Sequence, residues 1–545
     1  MPSPPPAFSR LAPIAWYLAL ATGLLWPSAL APIGAVPGAP RTDLADSLWT
    51  FWFVAGRLGD GALPDAVGGV LNHPEGGAFW PADPVNAVLV APLVLAWGPA
   101  IAWAVAAHLH VAASGLAAHA LGRRFAGNGY VAGTLYAAAP IAMAHLHNGA
   151  SEAVGGTTWL ALAALAATRL RDDPGPGRAA LAAGALALSA VGHAYSGAMA
   201  GLWLGVLLLA SPGARGWLLA AGLGGVLLAA GPAAVALDRS TARDNVVGIK
   251  TDKELATIRR TIGPADPEVF VHPGDFRSPD FHELSRYGEE LVHCAYLGWV
   301  PLLAAAASLR RRRGSAVLWV AGLAALVLSM GPVLVADGGP VILAGRRAVP
   351  LPYLALERLP GFGSLSLVWR LAQLTALALA VLAARAPGRS PRLAAALVVA
   401  ALAELRLASP ARALPGHWSG SVAPEITALA AEPDGAVMNY PVVGGRAYLY
   451  EQTVHHKPVT GSLNFPNNNA SRKVWKAAME NAAAEPETLR AAVEAAAREA
   501  DVRYLVVHID ARAKDDDLHT DAVAAIKASF TPIASSSAIR VYRFW

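Results

Sequence analysis

Long apolar segments dominate the first three quarters of the chain. The segment 11–35 is almost wholly apolar, and it exceeds the roughly 20 residues that a helix needs to cross a bilayer core. The run 86–98 is too short to span and precedes Pro99, so we predict a re-entrant or interfacial segment there. We predict eleven membrane-spanning helices, at 11–33, 99–122, 127–145, 153–170, 179–195, 197–212, 216–237, 291–309, 315–336, 366–385 and 393–409.

Arginines indicate which ends of these helices face the cytoplasm. Clusters such as Arg123 with Arg124 and the run 310–313 fall on the same side as Arg10, and the positive-inside rule places that side in the cytoplasm. We therefore predict an uncleaved first helix, a cytoplasmic N-terminus, and long extracytoplasmic loops at 34–86 and 238–290. The Ala-, Gly-, Pro- and Arg-rich composition is typical of a GC-rich bacterial genome, so the predicted location is the bacterial inner (plasma) membrane.

The pattern changes at residue 410. Short β-type runs at 436–443, 502–509 and 539–544 alternate with Ala-rich amphipathic helix patterns at 470–484, 487–500 and 520–530. The predicted fold class is therefore mostly α. A polytopic helical membrane domain over 1–409 is followed by a small extracytoplasmic α/β domain over 410–545.

Composition supports a membrane protein and excludes several other classes. Hydrophobic residues make up 55% of the chain and charged residues 15%, which is too apolar for a soluble core of ordinary size. The net charge of +5 lies in short connectors instead of one basic face, so we predict no nucleic-acid partner. The single Cys294 excludes an internal disulfide, and no Cys/His spacing resembles a zinc site.

Ionisable residues gather in the predicted outer segments, where their desolvation cost makes them functional candidates. Asp43 and Asp46 follow the first helix one helical turn apart, so both carboxylates can face one site. Alternatively, Asp43 is the N-cap of an interfacial helix and Asp46 stabilises its first turn. The other candidates are His73, Glu75, Asp83, His145, His147, Glu152, His272, Asp275, Arg277, His282, Glu283, Arg286 and Tyr287.

For four of the basic residues, the sequence suggests specific alternative roles. Arg370 lies a few residues into a predicted span, where an unpaired guanidinium is costly, so it should meet a carboxylate or a lipid phosphate. Arg277 is either a solvated loop charge or a substrate contact. His145 and His147, two residues apart on a helix, point to opposite flanks, which favours an interfacial polar cap over a metal site.

His73 and Glu75 flank Pro74 in a Gly-rich loop. Such a segment is consistent with a plain turn, because glycine and proline favour turn conformations. It is equally consistent with a loop that contacts a metal ion or a phosphate.

An early Asp followed by W-x-x-W, from Asp43 to Trp52, resembles the first outer loop of the GT-C class of glycosyltransferases. These are integral membrane enzymes that use polyprenyl-phosphate sugars. The likeness covers most of the chain and is greatest to the bacterial YfhO-like and dolichyl-phosphate-mannose-mannosyltransferase-like branch. This chain differs from the commonest pattern because Leu44 and Ala45 separate its acidic pair. The other similar stretches are HPEGG, WPADPVNAVLVAPL, GRRF, LPGFGSLSLVWRLAQL and MNYPVVGGRAYLYEQTVHHKPVTGS.

The resemblance implies sugar transfer, with inversion, from a polyprenyl-phosphate donor to an acceptor on the outer face. Asp43 is implied as the general base, and Asp46 is the second catalytic candidate. The departing phosphate needs positive charge, from a divalent cation (Mg or Mn) or from arginines, and both alternatives stay open. The implied partners are a lipid-linked sugar donor, membrane lipids, and a glycan, lipid or protein acceptor. The residues implied to contact substrate or lipid phosphate are His73, Glu75, Arg277 and Arg370.

Two other functions fit a polytopic chain. A transporter or flippase often shows internal repeats with broken helices at matching positions, and the sequence has no such pairing. A non-catalytic membrane scaffold would keep the fold without the activity. The long asymmetric outer loops and the tail favour an enzyme.

Overall fold

The chain is described here by a computed structural model. The structure describes residues 7–39, 42–247, 252–272, 291–309, 315–337, 339–343, 347–359, 361–388, 390–407, 415–441, 446–463, 468–509 and 517–545. The arginine run 310–313, which is predicted to face the cytoplasm, lies outside these residues.

Helices form most of the described chain up to residue 407. The central helix is α15, Ala372–Ala383, in which every residue is buried; it packs against α4, α5 and α13. The helices are α1 Ala7–Leu24, α2 Leu44–Gly59, α3 Pro84–Trp97, α4 Pro99–Arg124, α5 Gly129–Ala137, α6 Pro140–His147, α7 Ser151–Asp172, α8 Pro176–Gly192, α9 Ala194–Ala210, α10 Arg215–Thr241, α11 Asp252–Ile258, α12 Trp299–Ser308, α13 Ala316–Ser329, α14 Tyr353–Leu356, α15 Ala372–Ala383 and α16 Pro391–Leu407.

The predicted mostly α class is confirmed. Among the described residues, three helical segments are long and apolar enough to cross a membrane: α4, α7 and 212–241, which contains α10. Six apolar helices of 10–17 residues accompany them, so the count of eleven spans stays a prediction. The run 86–98 is helical up to Trp97 as part of α3, and its re-entrant or interfacial placement also stays a prediction.

Several predicted helices have different bounds in the structure. The run 11–33 is helical only to Leu24, and the run 315–336 only to Ser329. The run 127–145 is divided into α5 and α6, because α6 begins at Pro140 and proline has no N–H to continue the preceding helix. The run 291–309 is helical only from Trp299, where α12 begins after Gly298 with φ +84°. Glycine tolerates this left-handed conformation, which ends the extended segment before the helix.

Glu404 of α16 caps the N-terminus of α12. Its carboxylate accepts hydrogen bonds from the backbone N–H of Trp299 at 2.6 Å and of Val300 at 2.9 Å, and from the Tyr296 hydroxyl. The first N–H groups of a helix have no partner within the helix, and a negative charge there interacts favourably with the helix dipole. Glu404 therefore fixes α12 to α16.

Glu404→Gln should destabilise the protein by about 1–2 kcal/mol, because the cap loses its charge and one of its acceptor oxygens. The midpoint of thermal unfolding in detergent measures the effect. Glu499→Gln is the matched control, since Glu499 forms an ion pair with Lys473 and is 71% exposed; it should leave the midpoint nearly unchanged. Equal midpoints for the two variants would contradict the capping role.

The tail contains a four-stranded sheet and five helices. Its elements are α17 Pro424–Ala430, β1 Ala436–Tyr440, α18 Ala447–His455, α19 Asn469–Glu480, α20 Pro486–Glu499, β2 Val502–His508, α21 Asp517–Ser529, β3 Pro532–Ser535 and β4 Ile539–Arg543. The strand order is β1-β2-β4-β3, with β1 parallel to β2 and the other pairs antiparallel. The three predicted β-type runs and the three predicted helices are all present. The additional elements are β3, α17 and α18.

Helices cover both faces of this sheet. One hydrophobic core contains Trp475 of α19, Val493 of α20 and Ile526 of α21. The second contains Leu449 of α18 together with Trp49 of α2. The first outer loop therefore shares a core with the tail, while the predicted domain boundary at residue 410 stays a prediction.

Short strand pairs complete the fold. Val36–Pro37 pairs antiparallel with His417–Trp418, which joins the start of the first outer loop to the start of the tail. The remaining pairs, Val335–Ala336 with Gly339–Pro340 and Ile342–Leu343 with Arg347–Ala348, form two small hairpins after α13.

His455 at the end of α18 makes tail stability pH-dependent. Burial, with a contribution from the positive charge of Lys457, lowers the pKa of His455 from 6.5 to about 3. The unfolded chain therefore binds a proton before the folded chain does, and stability is lost as pH falls through 6.5 toward 3. The drop in the thermal midpoint between pH 7 and pH 5 should be larger for wild type than for His455→Gln. Equal drops would contradict the assignment.

Candidate functional site

Two carboxylates at the start of α2 meet one guanidinium from the tail. Asp43 immediately precedes α2, and Asp46 lies in its first turn; the Asp43 side chain caps no helix N–H. Instead, Nη1 of Arg446 donates to Oδ1 of Asp43 at 2.9 Å and to Oδ2 of Asp46. The two carboxylates therefore face one point, as their spacing predicts.

The surroundings distinguish the two carboxylates. The Asp43 side chain is 29% exposed and that of Asp46 21%. Within the described part of the chain, Oδ2 of Asp43 accepts no hydrogen bond. Asp43 thus presents the more accessible oxygen.

The turn between α6 and α7 brings a third carboxylate to this point. Gly149 has φ +62°, and a Cβ there would lie 2.4 Å from Cβ of Leu44, so only glycine fits against α2. Ser47 of α2 donates to the Gly149 carbonyl at 2.7 Å and accepts from the N–H of Ser151 at 3.2 Å. The next residue, Glu152, is close enough to Asp43 for their charges to interact.

Arg370 pairs with this third carboxylate. Nη1 of Arg370 donates to Oε1 of Glu152 at 3.2 Å, and the two side chains are only 11% and 19% exposed. The guanidinium carbon lies 5.5 Å from the Tyr195 ring centre and 5.9 Å from that of Trp369. The prediction that Arg370 meets a carboxylate or a phosphate is confirmed for the carboxylate. We call Asp43, Asp46, Glu152, Arg370 and Arg446 the charged cluster.

Histidines line the buried side of the charged cluster. His145 and His293 both stack on Trp369, with ring centres 5.4 Å and 5.2 Å away. His145 is fully buried, and neither of its ring nitrogens has a hydrogen-bond partner among the described residues. The prediction of His145 as an interfacial polar cap is therefore wrong, because α6 turns this side chain into the protein interior. Nδ1 of His147 accepts from the N–H of Gly416 at 3.1 Å.

Asp83 stabilises the fold of the same outer loop. Its carboxylate accepts from the backbone N–H of Asn86 at 3.0 Å and from the Asn86 side chain at 2.6 Å, which caps α3. Oδ1 of Asn86 in turn contacts His110, whose other ring nitrogen contacts Thr158. Burial raises the pKa of Asp83 to about 7. Both oxygens are engaged in this network, so we assign Asp83 a structural role.

His73 and Glu75 lie against the tail. Nε2 of His73 is 3.0 Å from Oδ2 of Asp501, and Nδ2 of Asn468 donates to the His73 carbonyl at 2.6 Å and to Glu75 at 3.3 Å. Their predicted contact with substrate or lipid phosphate stays a prediction. The candidate residues predicted in the loop 273–290, Arg277 included, lie outside the described residues.

A metal ion has no evident set of ligands in the described ranges. They contain no group of three or more His, Cys, Asp or Glu side chains placed to hold a metal. Asp43 and Asp46 already bind the guanidinium of Arg446, so a cation on these carboxylates would have to displace it. The described residues therefore do not fit a Mg or Mn ion as they stand, and its role stays a prediction.

Comparison with known proteins identifies the fold. No family model matches the sequence, and no curated protein is significantly similar to it. A mutant of the arabinofuranosyltransferase AftD from Mycobacteria is similar, with a TM-score of 0.54 and 17% identity over 97% of this chain and 41% of that one. The Archaeoglobus fulgidus oligosaccharyltransferase, tethered with an acceptor peptide, has a TM-score of 0.52 and 12% identity over 93% and 70% of the two chains.

The chain has a GT-C-like fold. The resemblance inferred from the first outer loop is thereby confirmed at the level of the fold. The YfhO-like branch stays a prediction, because identities this low establish no closer relationship.

The GT-C-like chain contains site residues that sequence reasoning missed. Arg446 is about 400 positions from its acidic partners, at the start of the tail phrase RAYLYEQ. Trp369 precedes Arg370 directly and is fully buried. The tail phrase resembled the GT-C class, but nothing in its local pattern indicated which of its residues contact the first outer loop.

Proposed function

We propose that this protein is a membrane glycosyltransferase that transfers a sugar from a polyprenyl-phosphate-linked donor to an acceptor hydroxyl. The observation that carries the proposal is the charged cluster on a GT-C-like fold. Asp43 and Asp46 lie together at the start of α2, and Asp43 is close to the Glu152–Arg370 pair. The cluster thus combines candidate bases with cations suited to a phosphate.

Asp43 acts as the general base in this proposal. Its Oδ2 takes the proton of the acceptor hydroxyl, whose oxygen attacks the anomeric carbon of the donor sugar. The bond from that carbon to the phosphate oxygen breaks, and the polyprenyl phosphate leaves with the bonding electrons. A single displacement inverts the anomeric configuration. Asp43 is preferred to Asp46 because its side chain is more exposed.

Arg370 stabilises the departing phosphate. A guanidinium forms strong charge-assisted hydrogen bonds with phosphate oxygens, and these bonds are worth more where water is excluded. The Arg370 side chain is only 11% exposed. Its Nε is buried and has no partner among the described residues, so one donor is available in addition to the Glu152 contact.

A small pocket beside α15 is lined mostly by apolar side chains. It lies between α5, α12, α15 and α16, its lining includes Leu135, Leu297, Ala376 and Leu402, and Glu404 adds one carboxylate. Ala376 is on α15, the helix that begins two residues after Arg370. In this proposal the pocket contacts part of the lipid chain of the donor.

In this proposal the charged cluster lies on the extracytoplasmic face of a bacterial inner membrane, which is the face that the arginine pattern predicts. The tail shares a core with the first outer loop, so we place it on that same face. The acceptor, whether a glycan, a lipid or a protein, would approach there.

The proposal is tested by sugar transfer with the purified protein in nanodiscs. Radiolabelled polyprenyl-phosphate sugars are compared with nucleotide sugars carrying the same sugar, over a panel of glycan, lipid and peptide acceptors. We expect label to move only from the lipid-linked donors, with one inverted anomer as the product. Absence of transfer across the panel would overturn the proposal, and translocation of the lipid without transfer would favour a flippase.

A further inference from the structure

Arg446 belongs to the tail but contributes to the charged cluster of the first outer loop. It immediately precedes α18, whose Gln452 side chain is fully buried against α2. Nε1 of Trp49 donates to Oε1 of Gln452 at 2.7 Å, and Nε2 of Gln452 donates to the Val70 carbonyl at 2.7 Å. These contacts hold α18 on α2, so the position of Arg446 is set by a buried interface.

The charges of the cluster oppose a second anion. Asp43, Asp46 and Glu152 are carboxylates, and Arg446 and Arg370 are the guanidinium groups that face them. The hydroxyl of Tyr448 donates to the Ser462 carbonyl, and burial, with a contribution from the charge of Asp46, raises the pKa of that tyrosine. A phosphate that enters this cluster is repelled by the three carboxylates, and a guanidinium that turns from its carboxylate to the phosphate weakens this repulsion.

The two arginines differ in their freedom to turn. The Arg370 side chain is 11% exposed and lies over two aromatic rings. The Arg446 side chain is 22% exposed. Guanidinium groups bind carboxylates and phosphates with the same fork geometry, so Arg446 can exchange one partner for the other.

We propose that Arg446 is an exchangeable counter-ion: it pairs with Asp43 and Asp46 in the absence of donor and binds the donor phosphate when it arrives. The inference rests on the proposed function and adds a phosphate contact supplied by the tail. The exchange releases Asp43 at the moment when a base is needed. It also makes donor binding depend on the docked tail.

Binding of a lipid phosphate without a sugar tests this inference. The full-length protein in nanodiscs is titrated with decaprenyl phosphate, and affinity is measured for wild type, Arg446→Gln, Arg446→Lys and Arg543→Gln. The matched control Arg543 forms an exposed tail ion pair with Glu432. Decaprenol tests the need for the phosphate, and inorganic phosphate in the buffer tests the need for the lipid.

We expect Arg446→Gln to weaken decaprenyl phosphate binding by about tenfold, because one charge-assisted contact is lost. Arg446→Lys should recover part of the affinity, and Arg543→Gln should bind as wild type does. Asp46→Asn should bind more tightly than wild type, because it removes one of the two carboxylates that hold the Arg446 guanidinium and with it a negative charge. This variant tests the exchange even where Arg446→Gln folds poorly.

The outcomes separate the inference from the proposed function. Equal affinity of wild type and Arg446→Gln, or equal binding of decaprenol, overturns the inference while sugar transfer can still occur. Binding of inorganic phosphate as tight as that of decaprenyl phosphate would assign Arg446 to free phosphate and overturn the lipid-phosphate inference. Loss of decaprenyl phosphate binding in Arg446→Gln together with inactive wild type would support the inference and count against glycosyl transfer.

Discussion

Asp43→Asn should lower the rate of sugar transfer by about 100-fold or more. An amide cannot accept the proton of the acceptor hydroxyl, and general base catalysis contributes typically 10²–10⁴-fold. The substitution keeps the shape of the side chain, so KM for the lipid-linked donor should change much less than kcat. Initial rates in nanodiscs, at matched amounts of folded protein, measure both constants.

Asp46→Asn and Asp238→Asn serve as the comparisons. Asp46 shares Arg446 with Asp43, so its loss should disturb the site and lower kcat by about tenfold, less than the loss of the base itself. Asp238 on α10 is 73% exposed, so Asp238→Asn should leave kcat unchanged. Full activity in Asp43→Asn would refute the base assignment, and a larger loss in Asp46→Asn would transfer the role to Asp46.

The spacing of apolar residues predicts the elements of this fold well, because a helix and a strand that each bury one face place their apolar residues at different, characteristic intervals. The tail shows this most directly: the strand at 502–508 and the helix at 486–499 both lie where alternation and amphipathic spacing predict them. A continuous apolar run is less informative. The run 127–145 has no polar break, yet Pro140 divides it into two helices.

Only some of the site residues could be predicted from the sequence. Asp43 and Asp46 could be predicted as site residues because carboxylates beside an apolar span are costly to desolvate, which makes them functional candidates. The burial cost of Arg370 predicts that it has an anionic partner but not that the partner is Glu152. Arg446 has no such signal, because charged residues are frequent along the tail and the contact arises only when α18 packs on α2.

The Glu152–Arg370 pair allows stability and catalysis to be separated. Arg370→Gln should destabilise the protein by about 3–5 kcal/mol, because it leaves the mostly buried carboxylate of Glu152 without its partner. Glu152→Gln should also destabilise, by leaving the guanidinium unpaired. The double variant Glu152→Gln/Arg370→Gln should be more stable than the sum of the two single effects predicts, since neither charge then remains buried alone.

If Arg370 binds the donor phosphate, the double variant should regain stability without regaining sugar-transfer activity. The double variant regains stability toward unfolding by SDS, yet it still lacks the guanidinium, so sugar transfer should stay at least about tenfold below wild type. Arg124→Gln is the matched control, because Arg124 forms an exposed pair with Asp172 and should change stability by less than about 1 kcal/mol. Recovery of activity together with stability in the double variant would make the pair purely structural, and the phosphate contact would then have to come from Arg446.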